Sequence, residues 1–120
     1  MVFFGQLVVG PPGSGKTTYC EGIQMFCRQL GRRCEVVNLD FANDELPYSA
    51  VIDVRDLVAL ERVMEECQLG PNGGLVYCMD HLVSNIHWLE TKIAELDEST
   101  YLLFDCPGQV GAMRHFIPKE

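Results

Sequence analysis

Residues Gly10-Pro11-Pro12-Gly13-Ser14-Gly15-Lys16-Thr17 follow the apolar run Leu7-Val8-Val9 and have the spacing G-x-x-x-x-G-K-T. A loop of this kind turns successive backbone N–H groups toward the phosphates of a nucleotide. Its glycines allow the close approach that a side chain would block. Lys16 carries a mobile positive charge to the terminal phosphates, and the Thr17 hydroxyl is suited to ligate Mg²⁺. The helix predicted to open at Lys16 adds the positive end of its dipole. Gly13, Ser14, Gly15, Lys16, Thr17 and Thr18 are therefore the predicted nucleotide-binding residues. An ordinary turn accounts for the glycines and prolines, but not for Gly-Lys-Thr opening a helix after a strand.

The other half of such a site is an acid at the tip of a buried strand. Tyr101-Leu102-Leu103-Phe104 is an apolar run that closes on Asp105, 89 positions after Lys16 (105 − 16). Asp105 is predicted to complete the Mg²⁺ shell that begins at Thr17. Asp105-Cys106-Pro107-Gly108 reads D-x-x-G and resembles the GTPase segment whose glycine N–H senses the γ-phosphate. Gln109 then stands where that class has a glutamine that orients the attacking water. A plain turn is the blander reading of Pro107-Gly108. The separation exceeds that of a Ras-like arrangement, which implies a helical insertion between the two motifs. Pro12 stands where MinD-like ATPases carry an extra lysine and weighs against that branch.

Composition bounds the partners. A chain of 120 residues, 48% hydrophobic and 22% charged, reads as one small globular domain. Its net charge of −8 argues against nucleic acid or an anionic membrane as a direct partner. No apolar run approaches the ~20 residues of a membrane-spanning helix. No basic segment precedes Val2-Phe3-Phe4, which argues against a signal peptide. Cys20, Cys27, Cys34, Cys67, Cys78 and Cys106 form no C-x-x-C, and His81, His87 and His115 sit at no metal-ligand spacing from them. Reduced, buried thiols in a cytosolic protein are the expectation.

The elements that must position these residues alternate between strand and helix. Phe3 to Val9 is predicted as a central strand, apolar on both faces. Lys16 to Leu30 is a helix with Tyr19, Ile23, Phe26 and Leu30 inward and Gly31 as its stop; Gly22 within it implies close packing on the sheet. Cys34 to Leu39 is a second strand. Asp53 caps a helix that carries Leu57, Leu60, Val63, Met64 and Cys67 inward. Gly70-Pro71-Asn72-Gly73-Gly74 reads as a turn. Met79, Leu82, Ile86, Leu89, Ile93 and Leu96 then mark one long amphipathic helix, with Trp88 flanking the stripe and His81 and His87 solvated. Tyr101 to Asp105 is the third strand. The fold class is α/β, a parallel sheet with flanking helices and right-handed crossovers.

Four ordered segments, Gly10–Cys20 (GPPGSGKTTYC), Asn38–Asn43 (NLDFAN), Gly70–Asp80 (GPNGGLVYCMD) and Asp105–Val110 (DCPGQV), together resemble the GPN-loop GTPases, most closely their type 2 subgroup. The resemblance implies a P-loop NTPase domain whose N-terminal part is residues 1–120. Its phosphate loop is at 10–17, its GPN loop at 70–72 and its Walker B and switch segment at 101–109, and the C-terminal half of the domain is missing. It implies GTP as ligand with Mg²⁺, and a homo- or heterodimer with family members in which Asn72 reaches the partner's nucleotide. An amide N–H₂ there can donate to developing negative charge without adding a cation. Gly70 and Pro71 complete the motif, Asp40 is a metal-shell or water-positioning acid, and Gln109 assists. The family's role in RNA polymerase assembly and nuclear import implies a cytoplasmic protein that shuttles to the nucleus, with polymerase assembly factors as partners. Two departures stand out: Phe41 replaces a proline, and Gly111 replaces a carboxylate expected to position water. No N/T-K-x-D motif is present to read the base. A non-hydrolysing fragment that binds nucleotide or a family partner is the alternative function. A phosphate-loop kinase of small metabolites would need a lid and an acceptor site, and neither is visible.

Overall fold

The computed structural model describes residues 5–10, 15–43 and 45–107. Its elements are β1 (Gly5–Val8), α1 (Lys16–Gln29), β2 (Cys34–Asn38), β3 (Ala50–Asp53), α2 (Leu60–Glu66), α3 (Pro71–Ser84), α4 (Ile86–Ala94) and β4 (Tyr101–Asp105), with a single 3₁₀ turn at Val54–Asp56. All strand pairs are parallel and the order is β1-β4-β2-β3. Consecutive strand residues point to opposite faces, and the two cores follow from that. Val36 and Leu103 pack with Cys20 of α1, Cys34 and Val8 on one face. Val37 and Leu102 pack with Val63, Met79, Leu82 and Leu89 of α2, α3 and α4 on the other.

The central place predicted for the first strand belongs to β4, which lies between β1 and β2. Among the described residues β1 is an edge strand, with Leu7 and the following Val9 each more than half exposed. Phe3 and Phe4 lie outside the described residues. A fourth strand, β3, was hidden in the short run Ala50-Val51-Ile52-Asp53.

Helix α1 ends as its sequence implies. Gly31 has φ +72, its N–H donates to Arg28 O at 3.1 Å, and Arg32 N–H donates to Cys27 O at 2.8 Å. That pair of bonds is a Schellman closure, which needs a left-handed residue after the helix. The inward face differs from the expectation. Lys16, Cys20 and Gln24 are buried, whereas Tyr19, Phe26 and Leu30 are exposed. Small and polar side chains let the helix approach the sheet, and Gln24 satisfies its buried amide by donating to Ser49 O at 3.1 Å. Gly22 faces open space and not the sheet.

Three further boundaries move for local reasons. Asp53 does cap, accepting from Arg55 N–H at 3.0 Å, but it closes only the 3₁₀ turn, and α2 begins later at Leu60 with Cys67 exposed beyond its end. Gly70-Pro71-Asn72 is not a turn but a helix start: Gly70 is the N-cap and Pro71 the first helical residue of α3. Proline suits that place because its missing N–H would be unpaired there anyway. The long stripe from Met79 to Leu96 is split at Asn85, which leaves helical geometry at φ −119, ψ 35 while its backbone N–H and its side-chain amide both donate to His81 O, at 3.1 and 2.8 Å. His81 is half-buried and stacks on Tyr77, 6.4 Å between ring centres, instead of standing free in solvent. All six cysteines are free thiols; Cys20, Cys34, Cys78 and Cys106 are buried.

Two glycines in helices should respond oppositely to alanine. A Cβ on Gly22 meets nothing within 4 Å, so Gly22→Ala is expected to stabilise by about 1 kcal/mol. A Cβ on Gly74 would come within 2.8 Å of Met64 Cγ and 2.9 Å of Leu60 Cδ1, where α3 packs on α2. Overpacking of that kind costs about 1–3 kcal/mol and outweighs the propensity gain. Urea midpoints of the two variants against the wild type check both signs.

Candidate functional site

The chemistry gathers where α1, the segment after β2 and the end of β4 meet. Gly15 takes φ +85 immediately before α1, a left-handed conformation that glycine adopts without strain. Lys16, in the first turn, is buried. Its Nζ lies 3.3 Å from Asp40 Oδ2 and 3.1 Å from Asp105 Oδ1. Burial alone pulls the ammonium's pKa down, but the flanking Asp105 and Asp40 carboxylates more than offset this and hold it above its usual value.

Asp105 is fully buried, and its two oxygens differ. Oδ2 accepts from Tyr48 Oη at 2.7 Å, from Asn43 Nδ2 at 3.3 Å and from Thr17 Oγ1 at 3.4 Å. Oδ1 makes no hydrogen bond; the Lys16 ammonium sits beside it as a charge but off the hydrogen-bond line. Burial, with the Asp105 carboxylate beside it, drives the Tyr48 phenol's pKa upward, so it remains a donor.

Asp40 is held by its own turn. Its Oδ1 accepts from Ala42 N–H at 2.9 Å, while Asn38 brackets its backbone, accepting from Asp40 N–H at 3.1 Å and donating to Asp40 O at 3.2 Å. Asn38 also bonds Asp53 Oδ1 at 3.1 Å and accepts from Asn43 Nδ2 at 3.0 Å. Arg55 grips Asp53 with Nε at 3.0 Å and Nη2 at 2.6 Å, and donates from Nη1 to Asn43 O at 2.7 Å. Burial works against the Asp53 carboxylate, but the Arg55 hydrogen bonds prevail and its pKa falls below the usual value.

Lys16, Thr17, Asp40 and Asp105 are thus brought into one cluster from positions far apart in the chain. Thr18 is exposed on the first turn of α1. Gly13, Ser14 and Gln109 lie outside the described residues, as do Gly108 and Gly111. Gly70, Pro71 and Asn72 are exposed at the start of α3, which packs mainly on α2. The sequence reading missed Tyr48 and left Asn43 without a role. The signal for Tyr48 was weak: one aromatic residue in the loop Leu46-Pro47-Tyr48-Ser49. A depression of about 390 Å³, lined by Gln6, Val8, Gly15, Lys16 and Tyr19 among others, opens beside the lysine.

The cluster holds two carboxylates against one ammonium, so it carries a negative surplus. A bare triphosphate would add to that surplus, whereas a divalent cation arriving with it would cancel it. The residues present fit Mg²⁺. Asp105 Oδ1 is a buried oxygen without a hydrogen bond, and the Thr17 hydroxyl lies next to the same carboxylate. No group of three or more His, Cys, Asp or Glu able to hold a metal occurs among the described residues. Mg²⁺ needs none, because it commonly uses one or two protein oxygens with phosphates and water completing its shell.

A family model described as a conserved hypothetical ATP binding protein matches residues 8–116. The GPN-loop GTPase QQT1 of Arabidopsis thaliana is 58% identical over 107 residues, which is 89% of this chain and 36% of that protein. The chain belongs to the GPN-loop GTPase family. GPN-loop GTPase 2 of Danio rerio is 55% identical over 112 residues, 93% of this chain and 36% of the relative. The crystal structure of a GTPase in apo form from Pyrococcus abyssi superposes with a TM-score of 0.81 at 36% identity, covering 98% of this chain and 46% of that one. The chain spans about a third of the length of these curated relatives. No helix among its described residues is long and apolar enough to cross a membrane.

Because Lys16 is buried between two acids, its removal should be felt by the fold. Lys16→Ala would leave Asp40 and Asp105 facing each other in a buried site, and breaking a buried pair in this way costs about 3–5 kcal/mol. The pH dependence follows from the raised pKa. The lysine's contribution is complete below its ordinary 10.5 and is lost as pH rises through the higher folded value. The stability gap between wild type and Lys16→Ala, read from denaturant curves, should stay constant from neutral pH to about 10.5 and close only above it.

Proposed function

We propose that this chain supplies the phosphate-binding core of a Mg²⁺-dependent GTPase that binds and hydrolyses GTP. The observation that carries the reading is the convergence of Lys16, Thr17 and Asp105 on one buried cluster with a surplus negative charge. In it, Lys16 leaves its two carboxylates for the terminal phosphates, guided by Gly13, Ser14, Gly15 and Thr18 around the loop. Thr17 and Asp105 hold the Mg²⁺ shell, which supplies charge neutralisation at the phosphate oxygens. Asp40, pinned by Ala42 and Asn38, holds water near the reacting phosphate. Gln109 orients the attacking water, and Asn72, exposed at the start of α3, reaches the nucleotide of a second family subunit in a homo- or heterodimer. Guanine as the base follows from the names of the relatives, although the family model's description speaks of ATP. A role in RNA polymerase assembly or nuclear import, with residence in cytoplasm and nucleus, follows from the family resemblance and from none of the site residues.

The second reading, nucleotide binding without turnover, is favoured by Gly111. Loss of one positioned catalytic group costs about 10²–10⁴-fold in rate, and small misplacements of the remainder add to it. For the 120-residue chain this reading prevails: saturating GTP with Mg²⁺ is expected to give binding and no appreciable phosphate release. Steady release that disappears in Asn72→Ala would make the chain a competent GTPase as it stands.

Base selection should be weak in the same chain, because phosphate contacts carry no base information. Competition between GTP and ATP for a labelled nucleotide is expected to discriminate by less than about tenfold, or 1.4 kcal/mol. A larger preference would place base recognition within these 120 residues.

A further inference from the structure

The two oxygens of Asp105 have been given different surroundings, and Tyr48 is the main cause. A carboxylate at a strand end turns easily about its last torsion, whose minimum is broad and two-fold. Three donors converge on Oδ2, and the Tyr48 hydroxyl at 2.7 Å is much the shortest; the Asn43 and Thr17 contacts, at 3.3 and 3.4 Å, are long. The length is that of a strong O–H···O⁻ bond. The tyrosine ring is itself buried, packed in the core on the α1 face with Val8, Cys20, Val36 and Leu103. It approaches the acid from fixed packing, not from a mobile loop tip. Oδ1 is left without a hydrogen bond beside the Lys16 ammonium. Packing alone would be served equally by phenylalanine, and a buried hydroxyl is costly unless it is bonded.

We propose that Tyr48 is a positioning residue for the metal half of the nucleotide site. Its hydroxyl locks the Asp105 carboxylate on Oδ2, so that Oδ1 is presented to the cation that accompanies the phosphates when Lys16 moves to them. The proposal rests on the reading of Lys16, Thr17 and Asp105 as a Mg²⁺–nucleotide site, and it adds the residue that orients the acid. The hydroxyl touches neither nucleotide nor metal; it acts through Asp105.

The experiment uses the 120-residue chain and its Tyr48→Phe variant, which keeps the ring and removes one oxygen. Affinity for a fluorescent GTP analogue is measured in excess EDTA and across a Mg²⁺ titration, with the thermal midpoint recorded alongside. The expected result is an unchanged affinity in EDTA and a Mg²⁺ half-saturation concentration raised about 10- to 100-fold, the usual loss when a partner behind a metal ligand is removed. An equal loss of affinity with and without Mg²⁺ would overturn the proposal, since a packing defect does not distinguish the two. An unchanged titration would overturn it as well, and so would a variant that does not fold, because the hydroxyl would then be structural. If the wild type itself gains nothing from Mg²⁺, the site reading fails and the proposal with it. A Mg²⁺-dependent wild type with an unaffected variant refutes the role of Tyr48 alone.

Discussion

A fully buried carboxylate, Asp105, is the constraint around which this structure is organised. Removing an ionised acid from water is expensive unless a charge and several donors replace the lost hydration. The chain supplies these from two separate places: Lys16 and Thr17 in the first turn of α1, and Asn43 and Tyr48 in the loop between β2 and β3. Placing β4 between β1 and β2 carries the acid to the one point where those segments can reach it. The geometry of α1 follows from the same requirement. Its buried face is narrow and partly polar because it must deliver Lys16 and keep Cys20 close to the sheet, and its bulky residues are left facing outward.

A second layer stands behind the first. Asn38, Asn43, Asp53 and Arg55 bond to one another and to the backbone around Asp40, so β2, β3 and the loop between them behave as one hydrogen-bonded unit. Asn43 belongs to both layers, since its amide bonds Asn38 and reaches Asp105. The site's two acids are therefore held by one continuous polar network, in which each member's partners are largely satisfied by the others.

Which residues come together was easier to read in the sequence than the details of the elements that carry them. The convergence of Lys16, Thr17 and Asp105 was legible because a G-x-x-x-x-G-K-T loop and an apolar strand closing on an acid each restrict residue type and spacing at once. The strand over Tyr101–Asp105 and the stop at Gly31 were legible because an apolar run and a left-handed glycine each leave a local mark. The inward face of α1 was not, since size and hydrophobicity pointed to Tyr19, Phe26 and Leu30 while close packing selected Cys20 and Gln24. Gly70-Pro71-Asn72 suits a turn and a helix start equally, because proline favours both, so its local residues do not separate the two. The break at Asn85 is one residue wide, and β3 is only four residues long; neither disturbs the hydrophobic pattern enough to be seen. Tyr48 was invisible for a different reason: its importance lies in a contact with a residue 57 positions away.

The distribution of thiols makes the molecule easy to instrument. Burial pushes the pKa of Cys20 and Cys34 up to about 12, and that of Cys78 and Cys106 up to about 11. At neutral pH these four are almost wholly protonated and shielded, and Cys27 is half covered. Cys67 alone is exposed, at the end of α2 and three residues before the Gly70 cap of α3. A maleimide dye offered to the folded chain therefore has one preferred address. That address lies beside the start of α3, where Gly70, Pro71 and Asn72 are exposed, so the sequence already carries a reporter position for that surface.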